Sequence, residues 1–141
     1  MPDGNELPHV LVIGLDPFRV PGPWDPQPVA EAIAQGMAGL VDSGYVAESC
    51  LLALDGSGDI ESRLTTALEA RQWDCVVVGG GLRKEEEQLE LFECVINLVR
   101  EHAPQAPIAF NRTPNDLSDA VARVRGQVVR TGWTGPSPLP S

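Results

Sequence analysis

The sequence predicts an α/β fold of three layers, a parallel sheet held between helices. Three observations predict it. Short β-branched apolar runs alternate four times with apolar residues at helical spacing. One run, Asp74 to Gly79 (DCVVVG), is apolar on both of its faces, which marks a central strand of a parallel sheet covered on either side. Neither an internal repeat nor an interior linker divides the 141 residues, a length suited to one domain with a real core.

The elements follow in order. His9 to Leu15 (HVLVIGL) reads as the first strand. Val29, Ile33, Met37, Leu40 and Val41 recur at helical spacing beside Ala30, Ala34 and Ala38, giving the first helix. Asp25-Pro26 supplies its cap and an early proline, and Gly44 ends it. Val46 to Leu54 is the second strand, and its Glu48 and Ser49 suit a sheet edge. Asp59 caps a second helix marked by Ile60, Leu64, Ala67 and Leu68.

The central strand over 74–79 comes next, followed by a third helix over Lys84 to His102. Pro107 to Asn111 is the fourth strand. Thr113-Pro114-Asn115-Asp116 then reads as a cap, a first-position proline and an acid three residues after the cap. The fourth helix runs through Leu117, Ala120, Val121 and Val124. Gln127 to Thr131 could add a fifth strand, and the tail GWTGPSPLPS is expected to be loose beyond an anchor at Trp133. Residues 1–126 thus form a single α/β domain, with 127–141 as its appendix.

Right-handed crossovers make 2-1-3-4 the natural strand order, with a fifth strand beyond it. The expected architecture is a flavodoxin-like or Rossmann-like sandwich of four to five strands. A receiver domain shares that topology, but its phosphate-accepting aspartate would end the third strand, where Gly79 and Gly80 stand.

Twenty acidic residues against ten basic ones give a net charge of −10. Nucleic-acid backbones and anionic lipid need a basic footprint, so neither is an expected partner. The N-terminus lacks the basic flank and apolar run of a secretory signal, and no apolar stretch approaches the ~20 residues that span a bilayer. Cys50, Cys75 and Cys94 are odd in number and form no CxxC, which suits reduced, small hydrophobes in a cytoplasmic protein.

In open α/β sheets ligands bind beyond the carboxyl ends of the strands, where the order reverses. That places the expected crevice between the first and third strands. Asp16 to Pro28 (DPFRVPGPWDPQP) is far longer than the roughly 2–6 residues usual for such a connection, and five prolines stiffen it. Its Phe18 and Trp24 fit either a lid or contact surface, or a plug for the top of the core.

The third strand runs into Gly79-Gly80-Gly81-Leu82-Arg83, which is neither GxGxxG nor GxxxxGK[ST]. Glu85, Glu86 and Glu87 complement the helix dipole and oppose a di- or triphosphate. A carboxylate or amide ligand fits the mixed charge better, and no cofactor is expected. Asp16 and Asp55 could share a hard cation with Glu85, but aspartates at such junctions serve mostly as caps and turn formers, so no metal is assigned. His9, His102 and Cys75 fall away from the functional end, which disfavours a Cys–His or Ser–His nucleophile. The ligand-binding candidates are therefore Asp16, Phe18, Gly80, Gly81, Arg83, Asn111 and Arg112.

In the third helix, Leu89, Leu91, Phe92, Val95, Ile96, Leu98 and Val99 cover about half the circumference at 100° per residue. A stripe that wide implies a neighbouring helix or a second chain, hence a possible homodimer through helix 84–102 or the tail.

The segment WDCVVVGGGLRKEEEQLELFECVINLVREHAPQAPIAFNRTPND resembles a set of uncharacterised small bacterial and fungal α/β proteins. The shared positions include Gly79, Gly81, Arg83, Phe92, Asn97, His102, Phe110, Asn111, Pro114 and Asp116. That resemblance implies a cytoplasmic α/β fold and no particular activity. Val10 to Phe18 (VLVIGLDPF) is similar to the opening of pyroglutamyl peptidases, where a DPF or EPF turn helps bind the pyroglutamate ring. Arg19-Val20 replace the glycine pair that usually follows, and no placed Cys/His pair supplies the nucleophile, so the likeness implies a shared fold and at most a degenerate relative without the peptidase chemistry.

The sequence therefore leads to a small protein that binds a ligand or a protein partner at the carboxyl end of its sheet. The alternative is an enzyme acting non-covalently on a small carboxylate or amide. There Asp16 would be the acid/base, Arg83 and Arg112 would hold a carboxylate, and Asn111 would hydrogen-bond the substrate. A scaffolding homodimer is the third reading.

Overall fold

The computed structural model describes residues 7–20, 22–55, 58–82 and 88–125. Its elements are β1 (His9–Leu15), α1 (Gln27–Asp42), β2 (Val46–Leu52), α2 (Ile60–Glu69), β3 (Cys75–Val78), α3 (Leu89–His102), β4 (Ile108–Phe110) and α4 (Leu117–Arg125). All strand pairings are parallel, in the order β2-β1-β3-β4. Val10 to Ile13 pair with Cys75 to Val78, and β1 pairs along its full length with β2.

Alternation along the strands separates two cores. Leu11 and Ile13 of β1, with Val76 and Val78 of β3, meet Leu64 and Leu68 of α2 and Val95 and Val99 of α3. Val10 and Val12, with Cys75 and Val77, face Leu40 of α1 and Leu117, Ala120 and Val121 of α4. The sheet is thus the middle layer of three. Every side chain of β3 is fully buried, whereas Glu48 and Ser49 are exposed on the edge strand β2. Fully burying each of the larger aliphatic side chains contributes about 1.5–3 kcal/mol.

The caps explain where helices begin and end. At the start of α1 the N-cap is Pro26 rather than Asp25 and makes no side-chain cap bond, while Asp25 Oδ1, one residue outside, accepts the Gln27 N–H at 3.0 Å. At its far end Gly44 takes φ +96°, and the N–H groups of Gly44 and Tyr45 donate back to Val41 and Leu40, which is a Schellman motif. Asp59 accepts the Ser62 N–H at 3.1 Å and caps α2. Strand β2 stops at Leu52 rather than Leu54, because the Leu54 N–H is drawn to the Arg19 carbonyl of the long loop at 2.9 Å.

The wide apolar face of α3 has a partial intramolecular account. Val95 and Val99 are buried, Ile96 and Leu98 pack partly against the α2 side of the core, and Phe92 meets Phe110 with ring centroids 6.0 Å apart. Leu89 remains 57% exposed. No helix among the described residues is long and apolar enough to cross a membrane. The start of the third helix at 84–87, the fifth strand at 127–131, Trp133 and the tail lie outside the described residues.

Candidate functional site

Three strand ends and two helix starts enclose a crevice of about 200 Å³ at the carboxyl end of the sheet. Its floor is the paired ends of β1 and β3, Ile13-Gly14-Leu15 against Gly79-Gly80-Gly81. Val29 and Ile33, from the first two turns of α1, form one wall. Pro17, Val20 and Trp24 of the long loop form another. Asn111-Arg112-Thr113 and Leu117, where β4 passes into α4, make the opposite rim.

The glycines are explained by how closely these segments approach. A Cβ on Gly79 would lie 3.1 Å from the Ile13 carbonyl oxygen, and one on Gly80 only 2.9 Å from that of Arg112. Neither has a positive φ, so proximity rather than backbone conformation demands glycine there. The Gly79 N–H donates to Ile13 at 2.8 Å, and Leu82, wholly buried, pins the 3-10 turn Gly80–Leu82 into the α2/α3 core. These glycines let β1, β3 and the β4 loop come together.

The long loop is ordered by its own bonds. Asp16 Oδ1 accepts the Phe18 N–H at 3.0 Å, and the Asp16 N–H donates to Leu52 at 2.8 Å. Arg19 reaches Asp16 at 3.9 Å and Asp55 at 3.7 Å. Trp24 Nε1 donates to the Val20 carbonyl at 3.2 Å, which sets the indole against the crevice.

At the rim, Asn111 is only 4% exposed, the one buried polar side chain among the described residues, and its Nδ2 donates to the Thr113 carbonyl at 2.7 Å. The carboxylate of Asp116 accepts from the N–H of Arg112 at 3.1 Å and of Thr113 at 3.2 Å. A side-chain anion thus already sits on the backbone donors at the start of α4, where an incoming phosphate would otherwise bind. Arg112 is exposed and is the only ionisable residue among those described as lining the crevice.

The predicted residues divide accordingly. Gly80, Gly81, Asn111 and Arg112 line the crevice together. Asp16 lines a neighbouring polar pocket with Arg19, Asp59 and Arg63 instead. Phe18 is 62% exposed and lines neither. Arg83 lies outside the described residues. In the sequence Val29 and Ile33 stand out only as apolar positions at helical spacing in the first helix. The available signal was their place in its first turns, which stand at the carboxyl end of the sheet.

No histidine or cysteine among the described residues lines the crevice. The His9 N–H is bound by Asp74 at 2.8 Å at the amino end of the sheet. His102, closing α3, lies between Glu69 at 2.6 Å and Glu101 at 3.0 Å. Burial pushes the Cys75 thiol up to about 11, which keeps it neutral and unreactive. Among the described residues no three of His, Cys, Asp and Glu are grouped to hold a metal ion. Comparison with protein-family models and with curated proteins matches none of them.

Proposed function

We propose that the protein binds a small ligand, a carboxylate or an amide, in the crevice between the ends of β1 and β3. The observation that carries this reading is the composition of the walls. Apolar side chains dominate them, while the polar residues Asn111, Arg112 and Thr113 lie together at one rim. A concave, mostly apolar site with few placed polar groups is how small-molecule sites are generally built. The parallel order 2-1-3-4, read as flavodoxin-like, puts the crevice where ligands bind in such sheets.

A thermal-shift screen of amino acids, organic acids, amides, nucleotides and divalent metals tests this on the full chain. Ligand at 100 times its Kd adds about 2.7 kcal/mol of stability. Hits abolished by Ile33→Trp, which fills the crevice, support the site; hits indifferent to it place binding elsewhere and overturn the proposal. We take the protein as cytoplasmic, a reading supported by three free thiols, two of them buried. A homodimer through α3 is the second reading, favoured by Leu89 standing 57% exposed on that helix. A monomer mass by light scattering at micromolar protein would contradict it.

A further inference from the structure

Resting on the crevice as a ligand site, we propose that its ligand is an aliphatic monocarboxylate of about six carbons. Charge selects the head group. Arg112 is the only ionisable residue described in the lining, and among the described residues it enters no ion pair. A cationic head would meet no counter-charge among the described lining residues. A phosphate, with more charge and more acceptors, would find the N–H groups of Arg112 and Thr113 already donated to Asp116. One carboxylate matches one guanidinium, which can grip both of its oxygens.

The walls select the body. Away from that rim a ligand meets Leu15, Val20, Val29 and Ile33, none of which can hydrogen-bond through its side chain. Hydroxyls or a second carboxylate on the chain would be stripped of water with no side chain there to replace it. Volume selects the length. An apolar cavity of about 150 Å³ holds benzene, so six carbons occupy that space. The crevice offers about 200 Å³, which accommodates about eight non-hydrogen atoms, the size of hexanoate.

Isothermal titration of the full-length chain with unbranched acids from butanoate to decanoate tests the assignment, with hexanamide and hexyl phosphate as matched probes. Affinity should rise about fourfold per methylene up to about six carbons and then level off or fall. Arg112→Ala should weaken hexanoate about tenfold while leaving hexanamide within about twofold, and Arg112→Lys should restore most of the loss. A flat chain-length series overturns the proposal, as does hexanamide or hexyl phosphate binding as tightly as hexanoate.

The two levels of the reading separate cleanly. If neutral compounds bind and Ile33→Trp abolishes their binding while no acid binds, the monocarboxylate fails and the crevice stands. If nothing binds in a way that Ile33→Trp removes, both fail. Val29→Trp, at a position already 38% exposed, is the second filling variant should Ile33→Trp not fold.

Discussion

A methyl group added at Gly80 would lie 2.9 Å from the Arg112 carbonyl oxygen and 3.1 Å from that of Asn111. Both obstacles are backbone, so relief requires moving β3 away from the β4 loop. Gly80→Ala should therefore destabilise the fold by about 1–3 kcal/mol, measured by chemical denaturation. The same change at Gly81, where the nearest atom is a Leu15 methyl at 3.8 Å, should cost much less. Cys75 gives a pH-dependent prediction. Burial raises its thiol from 9.0 to about 11, so the folded state keeps a proton that the unfolded state loses between those values. Its contribution to stability is full below pH 9 and is lost as pH rises through about 11. The stability difference between the native chain and Cys75→Ala should thus shrink across that window.

Two connections decide what the crevice can hold. In the β4–α4 turn, Asp116 fixes the backbone of Arg112 and Thr113, and Asn111 bonds across the same turn. Asp116→Ala removes a cap and should cost about 1 kcal/mol in thermal or denaturant melts. It should also weaken ligand binding, since the Arg112 rim is no longer held. In the long β1–α1 loop, Asp16 accepts the Phe18 N–H and pairs with Arg19, and the loop turns Phe18 outward. Asp16→Asn retains an acceptor for that N–H, so ligand affinity should stay within about twofold. Loss of turnover in that variant, for any ligand the protein is found to convert, would restore the acid/base reading of Asp16.

At the scale of the whole molecule, much of the architecture was legible because period and burial agree. The apolar CVVV within DCVVVG reads as a strand covered on both sides, and β3 is buried at all four positions. Glu48 and Ser49 pointed to an edge, and β2 lies there. The location of the crevice followed from strand order, but its lining did not follow from residue type. Asp16 and Phe18 were candidates by position, yet a two-residue turn aims one at a neighbouring pocket and the other at solvent. Val29 and Ile33 carry the pattern of core residues, and only the placement of α1 over the sheet end shows that they face a cavity. Chain spacing does not encode such directions, because they arise from how separate loops pack together.

The account turns on whether that crevice binds ligand. Titrating ¹⁵N-labelled full-length protein with hexanoate and following backbone amide shifts addresses this most directly. Saturable shifts concentrated at Gly14, Gly79, Gly80, Asn111 and Arg112, with the indole signal of Trp24 moving and that of buried Trp73 still, are the predicted result. Shifts confined to the polar pocket around Asp59 and Arg63, or none that saturate, would contradict it.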